Sequence, residues 1–158
     1  MKQKKTYIGL CCLCGLLLAC SSPKEYENHH SLKGEKWNME EVLPFDFDIN
    51  DTTQPYVFGV DIRYTDAFPN QDFFLFLKTI FPDGSTSQDT LHCYLFEDNG
   101  KPIGKGHRIK ELTIDYSLLR FPMPGHYTMR FVQGMRTKEI EGIASFGISL
   151  QKMENAKQ

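Results

Sequence analysis

YVFGVDIRY, residues 56–64, decides the fold class. Tyr56, Phe58, Val60, Ile62 and Tyr64 fall on every second position, and Asp61 and Arg63 lie between them. In extended chain, successive side chains point to opposite faces, so this period of two predicts a strand with one face on a core. FDFDI, residues 45–49, repeats the pattern, with Phe45, Phe47 and Ile49 opposite Asp46 and Asp48.

The segments around these two follow the same logic. DFFLFLKTIF, residues 72–81, is apolar on both faces over much of its length and predicts a central strand covered on both sides. Pro82-Asp83-Gly84 supplies a turn, and residues 89–97 form the next strand, with Leu91, Cys93 and Leu95 on one face and His92, Tyr94 and Phe96 on the other. Asp98-Asn99-Gly100 predicts a type I′ hairpin turn. Residues 112–121 alternate again, 126–132 are their hairpin partner beyond Pro122-Met123-Pro124-Gly125, and 144–151 are the last strand. Residues 137–142 have room for one helical turn, and no segment is long and periodic enough for a packed helix. The expectation is all-β: an antiparallel β-sandwich of about eight strands, immunoglobulin-like or jelly-roll, forming one domain over residues 37–152 with a tail at 153–158.

Ahead of that domain the chain has a different character. Lys2, Lys4 and Lys5 precede an uncharged apolar run that ends in Leu17-Leu18-Ala19-Cys20. A basic start followed by a short apolar stretch is the layout of an export signal, and the run is shorter than the roughly 20 residues a membrane-spanning helix needs. The last four residues resemble a bacterial lipobox, so residues 1–19 read as a lipoprotein signal peptide and Cys20 as a lipid-modified mature N-terminus. Acyl chains contribute about 0.8 kcal/mol per buried CH₂, which holds a domain on a bilayer without a spanning segment. Residues 20–36 read as the lipidated cysteine and a flexible tether, whose sixteen residues after Cys20 reach at most about 50 Å. His29-His30 lies in this tether; a metal role there would need further ligands nearby, so the pair reads as solvated linker and no metal is expected.

Processing would also change the inventory. Cys11, Cys12 and Cys14 leave with the signal, Cys20 is committed to lipid, and Cys93 remains as the only thiol, most simply a small core side chain. Eighteen basic residues become fifteen against twenty acidic, moving the formal charge from −2 to −5, a balance that argues against nucleic acid as a partner.

No GxSxG, HExxH, Walker or dinucleotide fingerprint is present, and no catalytic residue, cofactor or small-molecule substrate is inferred. Asp46 and Asp48 share a strand face and read as solvated carboxylates; a hydrolase would require a cleft lined by His92, His107 or paired aspartates. The Asn50-Asp51 and Asp98-Asn99 loops carry hard oxygen ligands, yet turn chemistry explains them more simply than calcium. Gly100, Gly104 and Gly106 resemble a phosphate loop only superficially, because no helix follows. An alternative to a protein-contact role is a lipid-anchored carbohydrate-binding sandwich with Trp37, Tyr64 and Phe68 as its platform, although Trp37 fits a core or tether-docking role better.

The ordered set of segments resembles the GldH gliding-motility lipoproteins of Bacteroidota. It comprises the lipobox, Trp37 leading to Phe45-Asp46-Phe47, Asp51-Thr52-Thr53 before Tyr56, Val60-Asp61-Ile62-Arg63, Phe81-Pro82-Asp83-Gly84, Gly125-His126-Tyr127, Gln133-Gly134-Met135-Arg136 and Phe146-Gly147-Ile148. The resemblance implies a non-catalytic cell-envelope lipoprotein of the gliding-motility and type IX secretion machinery. It would be held on a membrane by lipid, palmitate included, on Cys20, and would act through contacts with other envelope, motility or secretion proteins. Surface-exported lipoproteins of these bacteria resemble one another in an acidic run after the cysteine; Ser21-Ser22-Pro23-Lys24-Glu25 has one acid, which favours a periplasm-facing anchor. Asp51-Thr52-Thr53 and Asp89-Thr90-Leu91 resemble the O-glycosylation acceptor of the same group, nominating Thr52 and Thr90.

Overall fold

The structure, a computed structural model, describes residues 24–153. Its ten strands are β1 (Tyr26–Ser31), β2 (Lys36–Asn38), β3 (Leu43–Ile49), β4 (Tyr56–Tyr64), β5 (Asp72–Ile80), β6 (Thr86–Tyr94), β7 (Lys110–Leu119), β8 (Gly125–Gln133), β9 (Glu139–Glu141) and β10 (Ile143–Lys152), with one 3-10 turn at Lys33–Glu35. Pairing is nested: β5 with β6, β4 with β7, β3 with β8, β2 with β9 and β1 with β10, all antiparallel. The chain is thus one long hairpin whose tip is residues 81–85. Rolling it up distributes the pairs between two sheets, β1-β10-β4-β7 and β3-β8-β5-β6, while β2-β9 closes one end. This order is a jelly roll, which decides between the two sandwich topologies expected above.

The inner faces supply the core. Burial along β3 alternates without exception, and Phe45 meets Phe131 and Phe146 at ring-centre distances of 5.6 and 5.9 Å. Trp37 on β2 is fully buried between Phe73 and Phe146, with Nε1–H donating to the Glu41 carbonyl at 3.0 Å. Burying each such ring contributes about 1.5–3 kcal/mol, so the core needs no disulfide. Cys93 is buried among these side chains, and burial pushes its thiol pKa up to about 12.

Five expectations change. Residues 112–121 and 126–132 are not hairpin partners: β7 pairs with β4 and β8 with β3 and β5, so the chain crosses from one sheet to the other at residues 120–124. Residues 26–36 are not tether: β1 pairs with β10 along its whole length, Leu32 is buried, and β2 carries Trp37 into the core. An edge strand needs few apolar residues because its backbone bonds, not its side chains, hold it. Residues 137–142 hold β9, not a helical turn, with Ile140 buried opposite Trp37. β5 lies inside its sheet but only one face is covered, and Phe76 on the other is 51% exposed. The 97–101 turn is not type I′: Asp98 and Asn99 keep negative φ and only Gly100 is left-handed at +79°, giving a type I turn closed by a glycine bulge.

Open edges are tied across the two sheets. The His92 amide on edge strand β6 donates to the Tyr116 hydroxyl on edge strand β7 at 3.0 Å. On the opposite side His30 Nε2 of β1 donates to the Pro44 carbonyl of β3 at 2.7 Å. A carbonyl only accepts, so this nitrogen carries the hydrogen.

Candidate functional site

Cys20 lies outside the described residues, yet the fold fixes which end of the domain follows it. Tyr26 stands opposite Leu150, Lys152 opposite Tyr56, and Tyr56 opposite Leu119. Chain entry, chain exit and the connections 50–55, 81–85 and 120–124 therefore share one end of the sandwich. The Glu25 amide already bonds the Leu150 carbonyl at 2.8 Å, so only residues 21–25 separate Cys20 from the sheet. Five residues reach roughly 17 Å when fully extended, a third of the span expected for a tether running to residue 36.

That end is built around aromatic rings and one carboxylate. Phe47, Phe121 and Tyr127 pack together at 4.9–5.9 Å, Tyr26 and Tyr56 extend the cluster, and Tyr127 donates to the Met123 carbonyl. Asp51 Oδ1 accepts from the Thr53 amide and hydroxyl at 2.8 and 2.6 Å, and Oδ2 meets Lys152 Nζ at 3.0 Å. These partners, Thr53 first, lower the Asp51 pKa to about 2. Lys152 also reaches Glu25 at 3.6 Å, so the loop at 50–55, the end of β10 and the chain entry share one ionic knot.

The nominated residues scatter. Thr52 is half-buried in the Asp51 loop, whereas Thr90 is exposed on the outer face of β6 opposite Phe76. Trp37, Tyr64 and Phe68 are all buried, so they cannot be a sugar platform. Tyr64 instead pins the loop at 95–109: its hydroxyl donates to the Leu95 carbonyl at 2.5 Å and accepts the Gly104 amide at 2.8 Å. Gly104 leaves room for that ring, since an added Cβ would stand 3.0 Å from it and from the Glu111 carbonyl.

The histidines do not converge on a cleft. His92 pairs with Asp72 at 2.7 Å and stacks on Phe74, His126 meets Asp48 at 3.0 Å and Asp46 at 3.6 Å, and His107 is exposed in its loop. Asp46 also accepts from Thr128 Oγ1 at 2.5 Å, so the shared strand face expected for Asp46 and Asp48 is present and open to solvent. Asn99 Oδ1 takes the Lys101 amide at 2.8 Å, the same use of a side-chain oxygen as at Asp51. What the sequence could not supply is the Asp51–Lys152 pairing, 101 positions apart, because only the nested topology brings it about.

The family description "GldH lipoprotein" matches residues 24–150, nearly the whole described domain. The chain belongs to the GldH lipoprotein family. Among curated relatives it is 27% identical over 149 residues to the gliding motility lipoprotein GldH homolog of Christiangramia forsetii, covering 89% of this chain and 91% of that protein. It is 26% identical over 148 residues to the gliding motility lipoprotein GldH of Flavobacterium johnsoniae, covering 88% and 91%. Among solved structures, a fructofuranosidase from Schwanniomyces occidentalis aligns at 12% identity with a TM-score of 0.39, over 84% of this chain and 34% of that one. A likeness of that size carries no argument about a GldH protein. Gliding-motility-associated lipoproteins are thus its kin, and the family is not a known enzyme family.

Proposed function

We propose that this GldH-family protein is a non-catalytic envelope scaffold of the gliding-motility and type IX secretion machinery, held on a membrane through lipid, palmitate included, on Cys20 and working by protein contacts. The observation that carries the reading is the lipobox immediately ahead of a family domain whose first strand begins six positions after the cysteine. With so short a spacer, the end bearing residues 50–55, 81–85 and 120–124 faces the bilayer. The opposite end, with residues 65–71, 95–109 and 134–138, faces away, in the periplasm on the reading of Ser21 to Glu25, and is available to partners. Affinity capture of the crosslinked native lipoprotein from envelopes tests this: recovery of motility or secretion components supports it, and recovery of none overturns the scaffold role.

A second reading has one observation in its favour. Phe76 is half-exposed on the outer face of the β3-β8-β5-β6 sheet, in a hollow that it lines with Val42, Lys78, Thr90 and Arg130. An aromatic ring beside polar and charged side chains suits a glycan, so binding of an envelope glycan that Phe76→Ala abolishes would favour the carbohydrate-binding alternative. O-glycosylation is proposed at Thr90, where exposure allows it, ahead of half-buried Thr52; an unshifted intact mass of the native protein removes both.

A further inference from the structure

The outer face of the β1-β10-β4-β7 sheet contains a cluster that the reading of His29-His30 as linker did not anticipate. His29, Gly147, Asp61 and Thr113 stand in register across its four strands. The His29 ring occupies the space above Gly147, where an added Cβ would come within 2.2 Å of it, and brings Nε2 to 3.8 Å from Asp61 Oδ2. Thr113 Oγ1 donates to the other oxygen, Asp61 Oδ1, at 2.5 Å. Glu27 is two positions before His29 on the same face, and one ligand atom from each of Glu27, His29 and Asp61 lies within 4.8 Å of the others.

Two orphaned acceptors mark this face. Asp61 Oδ2 is buried without a hydrogen-bond partner, and so is Oγ of Ser145, a residue 6% exposed at the next outward position of β10 from Gly147. Buried polar atoms are nearly always partnered, and 3.8 Å is too long for His29 to serve as one. It suits two ligands of a common ion: tetrahedral ligands about 2.0–2.1 Å from zinc stand roughly 3.4 Å apart. Carboxylates alone would suit a hard cation such as calcium; the imidazole moves the preference to a borderline metal.

We propose that Glu27, His29 and Asp61 bind one zinc-class divalent ion, with water completing the tetrahedron, and that the ion clasps edge strand β1 to β4 across β10. Lys24 Nζ, 2.7 Å from Glu27 Oε1, is the group the metal displaces into solvent. The clasp fastens the strand nearest Cys20, which among the described residues has β10 as its only sheet neighbour. This inference stands whether or not Cys20 is lipidated.

The test uses full-length protein in detergent, stripped with chelator and titrated with Zn²⁺. Elemental analysis reads the stoichiometry, calorimetry the affinity, and amide exchange the protection of residues 27–31. One zinc per chain is expected, with slower exchange in β1. His29→Gln, which refills the space over Gly147, Asp61→Asn and the exposed Glu27→Gln should each weaken binding by about tenfold or more and abolish the added protection. His126→Ala, at the separate cluster with Asp46 and Asp48, should change neither. No retained zinc, affinity unchanged in the Glu27 and His29 variants, or dependence on His126 would each overturn the proposal. So would β1 protection that follows pH alone without responding to zinc, the mark of a simple His29–Asp61 ion pair.

Discussion

Gly142 carries a conformational demand no other residue type meets well. Its φ is +85°, its amide bonds the Glu35 carbonyl, its carbonyl accepts the Thr65 amide, and an added Cβ would lie 2.2 Å from the Phe68 nitrogen. Gly142→Ala should cost about 2–4 kcal/mol, read as a lowered denaturation midpoint with an unchanged denaturant slope. Asp51 makes a pH prediction. Its folded pKa is depressed, so its stabilising share is complete above the ordinary carboxylate range and is lost as pH falls from about 4 toward 2. Asp51→Asn, which keeps an oxygen for the Thr53 amide, should flatten the loss of stability across that window. Equal slopes for the variant and parent would show that Asp51 contributes no pH dependence.

At the scale of elements, the edge ties can be cut singly. Tyr116→Phe removes the acceptor of the His92 amide and should cost about 1 kcal/mol, with faster amide exchange confined to β6 and β7. Trp37→Ala should cost about 3–5 kcal/mol and release β2-β9 from the end of the sandwich, visible as lost protection at Ile140. These elements also show how much a sequence discloses. β3 and β4 were legible because one face is core and the other water, so Phe45, Phe47, Phe58 and Val60 declare their side. β1 was not, because an edge strand with a mostly exposed face needs only Tyr26 and His30 turned partly inward. β9 is three residues long, too short for any period to register. The burial of Tyr64 was legible in the alternation of residues 56–64 and that of Trp37 in its preferred core reading, whereas Phe68 stands outside any periodic run and only placement settles its role.

For the whole molecule, the anchoring claim rests on Cys20. Cys20→Ala should move the protein from the detergent phase to the aqueous phase on partitioning; a variant as membrane-bound as its parent would mean another attachment. Nested pairing sets the folding rate. Apart from the 81–85 tip, the strand pairs join distant parts of the chain, so loop closure precedes most of the stabilisation and refolding should take milliseconds to seconds rather than microseconds. Stopped-flow fluorescence of Trp37, the single tryptophan, would follow it directly.

The position of β10 has a consequence for biogenesis. It is the last of the described strands to be synthesised, yet it sits inside its sheet and, among the described residues, is the only sheet neighbour of the first. A chain stalled at residue 142 has β1 and β4 without their shared partner, so β1 loses its whole ladder and keeps only side-chain contacts with β3, the His30–Pro44 bond among them. A stop codon at residue 142 would therefore remove the pairing of two strands far apart in the chain, and a truncation there should be as damaging as one near the middle of the domain.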